Sequence, residues 1–521
     1  MTTTPRPRAL WRDTGPRIRM AAEAVVESEV VIAGAGLAGL AAAVMLARAG
    51  RRVAVIDAAE AGARTTGAST AKLSLLQGSV YSRLRRSAGD RALAAYAQAQ
   101  IDGQDWLRAE IAAIPDAEER RTSVTYAMTE AGSETVRAEA EACRAAGLAV
   151  EEDSGRIGLP FPVSRALLLR DQSQLHPMRV LGALADQAVS LGVRLIGGCR
   201  LTGAHATASG VRVTTTTGEL RAERLLVMTG FPVIDRRAFF AKLTPTRQMV
   251  AAYRLPDAAM IPDGSFLCVD EVTRSLRSGR DEQQRPLLVV GGSSYPTGRD
   301  ADTRIRLQAI DRWTAQAFPG AVRDRWWAAQ DYRMAGDRPF FGIQPGTHGR
   351  VLAATGFAKW GMTNAVAGAL ALTGIIEGVA PAWSEHFAHG RVGASGAAAM
   401  IASNARVAGE AARGWARPEQ SHAEGRDRVR MTRRGLEPVA ESVVDGRACA
   451  VSGVCTHLGG VLQWNTAERS WDCPLHGSRF APDGRVIEGP AKRDLPTREG
   501  TVRARADAVN PGPAPGPASV D

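Results

Sequence analysis

The segment that most restricts the possible folds lies near the N-terminus. Val30-Val31-Ile32-Ala33 is a short apolar run, and Gly34-Ala35-Gly36-Leu37-Ala38-Gly39 follows at once. Leu40 to Ala49 then reads as a helix rich in alanine and leucine, and a second apolar run, Val53 to Ile56, ends at Asp57. A buried strand, a tight turn, a helix and a second strand closed by a carboxylate make a βαβ dinucleotide-binding unit. Gly34 permits the turn, Gly36 lets backbone approach a pyrophosphate, and Gly39 lets helix and strand pack closely. The helix N-terminus offers N–H groups and a positive dipole end to phosphates. Asp57 stands where a carboxylate accepts hydrogen bonds from ribose hydroxyls. A glycine turn alone is weak; all four pieces in register make it specific.

The chain carries one such fingerprint, where a two-Rossmann reductase using NADH and a flavin would normally show two. Later sequence favours FAD. Arg224-Leu225-Leu226-Val227-Met228-Thr229-Gly230 and Arg350-Val351-Leu352-Ala353-Ala354-Thr355-Gly356 both read as buried strands ending in tight turns. The second leads through Phe357-Ala358-Lys359-Trp360-Gly361-Met362-Thr363-Asn364 into an apolar helix, whose N-terminus could face a flavin ring or pyrophosphate.

The C-terminal region holds a different chemistry. Cys455-Thr456-His457-Leu458-Gly459 is followed by Cys473-Pro474-Leu475-His476-Gly477-Ser478. Two cysteines and two histidines could bind zinc, but zinc sites more often use C-x₂₋₄-C and H-x₃₋₅-H pairs. Here each loop supplies one cysteine and one histidine. That suits a [2Fe–2S] cluster with both thiolates on one iron and both imidazoles on the other.

With 521 residues, two or three domains are expected. The expected division is an N-terminal arm (1–28), an FAD-dependent region with interleaved FAD and substrate subdomains (29–414), a polar linker (415–434), a small all-β domain (435–508) and a disordered Pro/Gly-rich tail (509–521). The net charge of +11 comes from scattered arginines and reads as solvated surface, with a docking face for an acidic redox partner as the sharper alternative. Few aromatics and no recognition motif argue against nucleic acid. The apolar stretch Ala365–Ile376 is too short to span a membrane. No signal core is visible and the six cysteines form no disulfide pattern, so a cytoplasmic setting is expected.

From Glu29 to Gly414 the chain resembles the D-amino-acid oxidase/glycine oxidase superfamily, in the branch whose members carry a C-terminal Rieske domain. The matching segments are Leu10–Thr14, Thr65–Lys72, Trp327–Asp331 and Gly356–Asn364. The resemblance implies an α/β Rossmann-like FAD domain interleaved with a mixed-sheet substrate domain, plus the small all-β Rieske domain. It implies that Gly34, Gly36, Gly39 and Asp57 hold the ADP half of FAD. Ser69 to Leu73 (Ser69, Thr70, Ala71, Lys72 and Leu73) would line the flavin and pyrophosphate, Gly361, Met362 and Thr363 would lie against the isoalloxazine, and Gly356 would also bind the cofactor. No histidine or cysteine stands in Thr65–Lys72 for a covalent flavin bond. Cys455, His457, Cys473 and His476 would ligate the cluster. High-potential Rieske proteins add a cysteine to each loop; here those positions are Gly460 and Leu475. Ser478 is at the position of their potential-raising serine, and Phe480 replaces their tyrosine, so a lower potential is expected. Cys449 is expected to be a buried small hydrophobe.

Flavin-dependent oxidation of amines needs orientation more than a strong base, so no motif names a catalytic residue. Lys72 is the first candidate. Lys359 and Trp360 could contact the ring. Arg274 and Arg277 could pair with a substrate carboxylate, though surface roles are the expectation. His176, before Pro177, reads as a structural turn histidine. His386 and His389 could share a helix face, but no carboxylate or cysteine pattern supports a metal there. Three functions compete: an enzyme oxidising a small organic substrate, of the amine or amino-acid class, through FAD and cluster to an acceptor; an electron-transfer module serving a partner; and an O₂-using oxidase with a structural or sensory cluster.

Overall fold

Strand Val30–Ala33 is buried along its length and pairs in parallel with Val53–Ile56 on one side and Arg224–Val227 on the other. Arg194–Ile196 and Val351–Thr355 extend this six-stranded sheet, and Phe340–Ile343 closes one edge antiparallel. The apolar runs do not alternate with polar residues because both faces are covered. Val30 and Ile32 pack towards helices Leu37–Arg48 and Gly361–Glu377; Val31 and Ala33 pack towards a three-stranded sheet holding Val211, Val213 and Leu220. This computed structural model describes residues 6–22, 27–153, 157–300, 302–390, 393–424 and 427–498. The tail expected at 509–521 lies outside the described residues.

Between the strands of that sheet the chain makes excursions into a second, nine-stranded sheet. Lys72–Leu73, Glu118–Ala127, Glu151–Asp153 and Arg165–Leu175 are inserted before Arg194, and five further strands between Leu243 and Met334 complete it. It is mixed: Ser265–Cys268 runs parallel to Glu118–Ala127, and its other pairings are antiparallel. The FAD and substrate layers are thus interleaved in sequence and adjacent in space.

The third unit is two antiparallel four-stranded sheets. One contains Gln420–Glu424, Asp427–Arg434, Glu437–Val444 and Arg447–Ser452; the other contains Gln463–Asn465, Ser470–Asp472, Arg479–Phe480 and Val486–Glu488. The expectation of a linker at 415–434 is corrected here: most of that segment is strand. Its charged residues occupy one face while Val429 and Met431 enter the domain core, a period-2 pattern hidden by the arginines between them. The preceding helix, Ala394–Ala416, packs on the unit, with Gly414 against Val461 and Trp415 Nε1 donating to Gly459 O at 3.1 Å.

Three further expectations change. The arm at 1–28, which has little pattern in sequence, contains a helix, Leu10–Thr14, whose Trp11 is buried and donates to Ser69 O at 2.7 Å. Arg274 and Arg277 are buried, not superficial. Cys449 is only half-buried: it shares its strand face with the core residue Val451 but lies toward the exposed end of Arg447–Ser452. No single helix among the described residues is long and apolar enough to cross a membrane; Ala365–Ile376 lies in the core helix Gly361–Glu377.

Candidate functional site

Two cavities meet where the three units converge. The first follows the glycine turn and is lined by Gly34, Gly36, Asp57, Ser69, Thr70, Gly361 and Met362 from the expected set. Gly39, Ala71, Gly356 and Thr363 stand behind its walls. Each has a structural reason to be there. A Cβ on Gly39 would sit 1.8 Å from Gly34 O, so its lack of a side chain lets helix meet turn. Ala71 is buried in a left-handed conformation, and its N–H donates to Ser69 Oγ at 2.9 Å. Gly356 makes its turn at φ +80. Thr363 is held in a buried amide cluster with Gln77 and Gln100.

Asp57 accepts the N–H of Ala35 at 2.7 Å and of Ala59 at 2.8 Å, which locks the carboxylate at the cleft. Burial pushes its acid above the ordinary value, opposed by those N–H groups and by Arg64 and Arg200. Both arginines line the cleft. Arg64 has no carboxylate within ion-pair distance among the described residues. A guanidinium without an ion-pair partner, beside a helix N-terminus and a ribose-type carboxylate, fits the diphosphate of FAD. Sequence reading missed Arg64, Arg200, Gln248 and Tyr332; they come from separate elements with no common spacing.

The second cavity, about 820 Å³, shares Ser69, Thr70, Gln248, Asp331, Tyr332, Lys359 and Met362 with the first. Lys72 lines only this second cavity, as does Trp360. Lys72 Nζ donates to Phe266 O at 2.6 Å and Ser275 Oγ at 2.9 Å. Burial, with Arg277 adding repulsion, pushes its amine down to about 7. Lys359 Nζ donates to Ser294 Oγ at 2.6 Å, and its N–H donates to Asp331. Arg274 lines this cavity too; Arg277 does not. Arg277 lies 4.6 Å over Trp11 and donates to Thr70 O at 2.7 Å and Leu175 O at 3.0 Å, so it braces the Ser69–Lys72 segment. His176 caps helix Pro177–Ser190, accepting from Arg179 N, and lies outside both cavities. His386 and His389 end a one-turn helix, and no further ligand-type side chain joins them among the described residues.

In the third unit the two C/H loops close over a common point. Cys455 N–H donates to Gly460 O and Cys473 N–H to Ser478 O, at 2.8 and 2.7 Å, while Gly459 and Gly477 turn back at positive φ. The two thiols are hydrogen-bonded to each other, which lowers Cys455 and raises Cys473, and the Ser478 hydroxyl also lowers Cys455. The His457 and His476 rings meet edge-on at 5.2 Å. Burial pushes both imidazoles down to about 4, so they are neutral donors. His476 Nδ1 is buried without a hydrogen-bond partner. Two facing thiols, two neutral imidazoles and an orphaned ring nitrogen fit a two-iron cluster.

A family profile described as FAD dependent oxidoreductase matches residues 29–375, two-thirds of the chain. The chain belongs to this family of FAD-dependent oxidoreductases. A second profile, the Rieske [2Fe-2S] domain, matches residues 418–499, so the protein is a FAD-dependent oxidoreductase with a Rieske domain. Its cofactors are FAD and a [2Fe–2S] cluster. A Bacillus subtilis relative, YhfW, named for a Rieske 2Fe-2S iron–sulfur protein, is 28% identical over 488 residues, 90% of this chain and 93% of its own. Two solved structures share the fold of the oxidoreductase region. Glycine oxidase from Geobacillus kaustophilus is 18% identical with a TM-score of 0.56, covering 69% of this chain and 96% of its own. L-Proline dehydrogenase from P. horikoshii is 15% identical with a TM-score of 0.58, covering 70% and 97%.

The Rieske unit is built into the oxidoreductase. Ile487, Glu488 and Gly489 form part of the wall of the first cavity. Arg247, from the mixed sheet, is buried and pairs with Glu488 at 2.7 Å and with Glu468. Arg479 joins the same network through Asp472 and Glu488, each at 2.9 Å. Gln330 Nε2 donates to Gly477 O at 2.8 Å, and Arg299 Nε donates to Pro474 O at 2.8 Å.

Proposed function

We propose that this oxidoreductase oxidises a small amine or amino acid beside the FAD cleft and passes the electrons through its Rieske domain to an external acceptor. The observation that carries this reading is a run of rings between the two sites. Tyr332 lines both cavities; its ring lies 5.8 Å from Phe231, which lies 6.2 Å from His457. When bound, FAD supplies a two-electron acceptor and the cluster a one-electron carrier. The names of the solved relatives, which act on glycine and L-proline, support the substrate class.

Lys72 is the residue best placed to take a proton. A neutral amine has two N–H bonds, and Phe266 O and Ser275 Oγ orient both. The lone pair is then the remaining direction. An amine depressed to about 7 is matched to accept the proton of a substrate ammonium near neutral pH. Lys359 and Asp331 border the same junction and hold the wall by backbone and side-chain bonds. All six cysteines are unpaired, as a reducing compartment would leave them.

Anaerobic mixing with a panel of amines and amino acids tests the reading. The flavin should bleach, and a reduced Rieske EPR signal should follow. Bleaching by none of them would sink the enzyme reading in favour of an electron-transfer module. Peroxide production undiminished in His476→Ala would replace the external acceptor by O₂.

A further inference from the structure

The second cavity is more cationic than one carboxylate requires. Eight lysine and arginine side chains line it against two carboxylates, Asp331 and Asp337. Asp337 is engaged by Arg83 and Arg333, and Asp331 takes the Lys359 N–H. Lys72 drops out of the count when neutral, and a clear excess of positive charge stays.

Two places in the wall carry that excess. Arg274, on strand Arg274–Arg280, is 5% exposed and has no carboxylate within ion-pair distance among the described residues. Its Nη1 donates to Thr273 O at 2.9 Å, and its buried Nε has no partner. Trp313 lies 5.7 Å from its guanidinium, which stabilises the cation without neutralising it. The second place joins Arg299, from the loop beyond strand Pro286–Pro296, and Arg406, from helix Ala394–Ala416. Arg406 repels Arg299, while Glu410, itself paired with Arg413, attracts it; Arg299 is tethered through Nε alone, to Pro474 O at 2.8 Å. Arg406 makes no ion pair among the described residues. A buried guanidinium without an ion-pair partner, as at Arg274, is unfavourable unless a ligand supplies the anion, and Arg299 with the exposed Arg406 gives a second cationic point that makes no ion pair among the described residues.

We infer that the substrate carries at least two negative charges: an amine or amino acid with a second carboxylate or a phosphate-type group. Arg274 would take one anionic group, and Arg299 with Arg406 the other. The amine half of this statement rests on the function proposed above; the dianion half does not.

The test uses FAD-loaded protein at constant ionic strength. Flavin absorbance is titrated with acetate and propionate, with malonate and succinate, and with inorganic phosphate. The dianions should bind about tenfold tighter or more than the monoanions. Malonate against phosphate then decides between a second carboxylate and a phosphate-type group. Arg406→Ala, on an exposed helix face, should pull the dianion preference down towards the monoanion level. Arg274→Gln should weaken both classes. Monoanions binding as tightly as dianions, or an unchanged preference in Arg406→Ala, would overturn the inference. A substrate arm separates the two readings. If glycine and L-proline reduce the flavin as efficiently as iminodiacetate and L-aspartate, the dianion inference fails and amine oxidation stands. If dianions bind tightly but no amine reduces the flavin, amine oxidation fails and the anion site stands.

Discussion

Phe231 meets His457 edge-on, with ring centroids 6.2 Å apart and planes at 71°. Phe231 belongs to the turn after strand Arg224–Val227, between Gly230 and Val233 of the first cavity's lining, whereas His457 is a candidate cluster ligand in the Rieske domain. One buried side chain therefore separates the wall of the flavin cleft from the cluster. Phe231→Leu keeps an apolar filler and should lower stability by about 1 kcal/mol. It should slow cluster reduction while leaving substrate-driven flavin bleaching unchanged. Stopped-flow absorbance with freeze-quench EPR separates the two steps; slowing of both would remove Phe231 from the route.

The lock between the units is ionic. Arg247→Met would leave Glu468 facing Glu488 with Arg479 as the one remaining cation of the pair, and breaking such a buried network costs roughly 3–5 kcal/mol. Chemical denaturation should show the Rieske transition separating from that of the oxidoreductase region. A single unshifted transition would refute the lock.

Acid should act on the same network. Arg247 and Arg479 outweigh burial and hold Glu488 down to about 2, against an ordinary 4.5. A depressed carboxylate contributes stability that is present above the unfolded pKa and lost as pH falls through the folded one. Docking of the Rieske unit should weaken between about pH 4.5 and 2. Glu488→Gln should flatten that part of the stability profile.

Lys72 has the opposite sign. Its amine is near 7 in the fold and 10.5 when unfolded, so the unfolded chain binds the extra proton between those values. Stability should fall as pH drops from about 10.5 to 7 and level off below. Flavin reduction should rise with pH through about 7, where the amine becomes neutral. Lys72→Met should abolish that limb and slow the reduction step by roughly 10²-fold or more. An unchanged pH profile would exclude Lys72 as the proton acceptor.

The cluster potential should sit in the lower part of the roughly −150 to +300 mV Rieske range. The Ser478 hydroxyl bonds towards Cys455 Sγ, while Phe480 is fully buried and offers no hydroxyl. Ser478→Ala should lower the midpoint and Phe480→Tyr should raise it. EPR-monitored redox titration of the full-length protein measures both, and a midpoint near the top of the range in the unaltered protein would contradict the assignment.

Both cofactor types, and candidate residues for each, could be read in the sequence because each motif depends on local backbone geometry. A strand, a glycine turn and a helix hold a diphosphate through adjacent peptide groups, and two short glycine-flanked loops can present one cysteine and one histidine each. Period-2 burial in Asp427–Arg434 was local as well, but the arginines on its outer face disguised a strand as a linker. What only tertiary structure decided is the electrostatics and the coupling. Arg247 finds Glu468 and Glu488 across separations of 221 and 241 residues, so no spacing rule announces it. Arg274, Arg299 and Arg406 reach one cavity from a strand, a loop and a helix, and only the folded structure shows that none of them makes an ion pair among the described residues. Lys72 stood out in the chain only by its place in the Thr65–Lys72 segment. Its enclosure by the mixed sheet is what removes water and shifts its proton, and that enclosure comes from strands paired far apart in sequence.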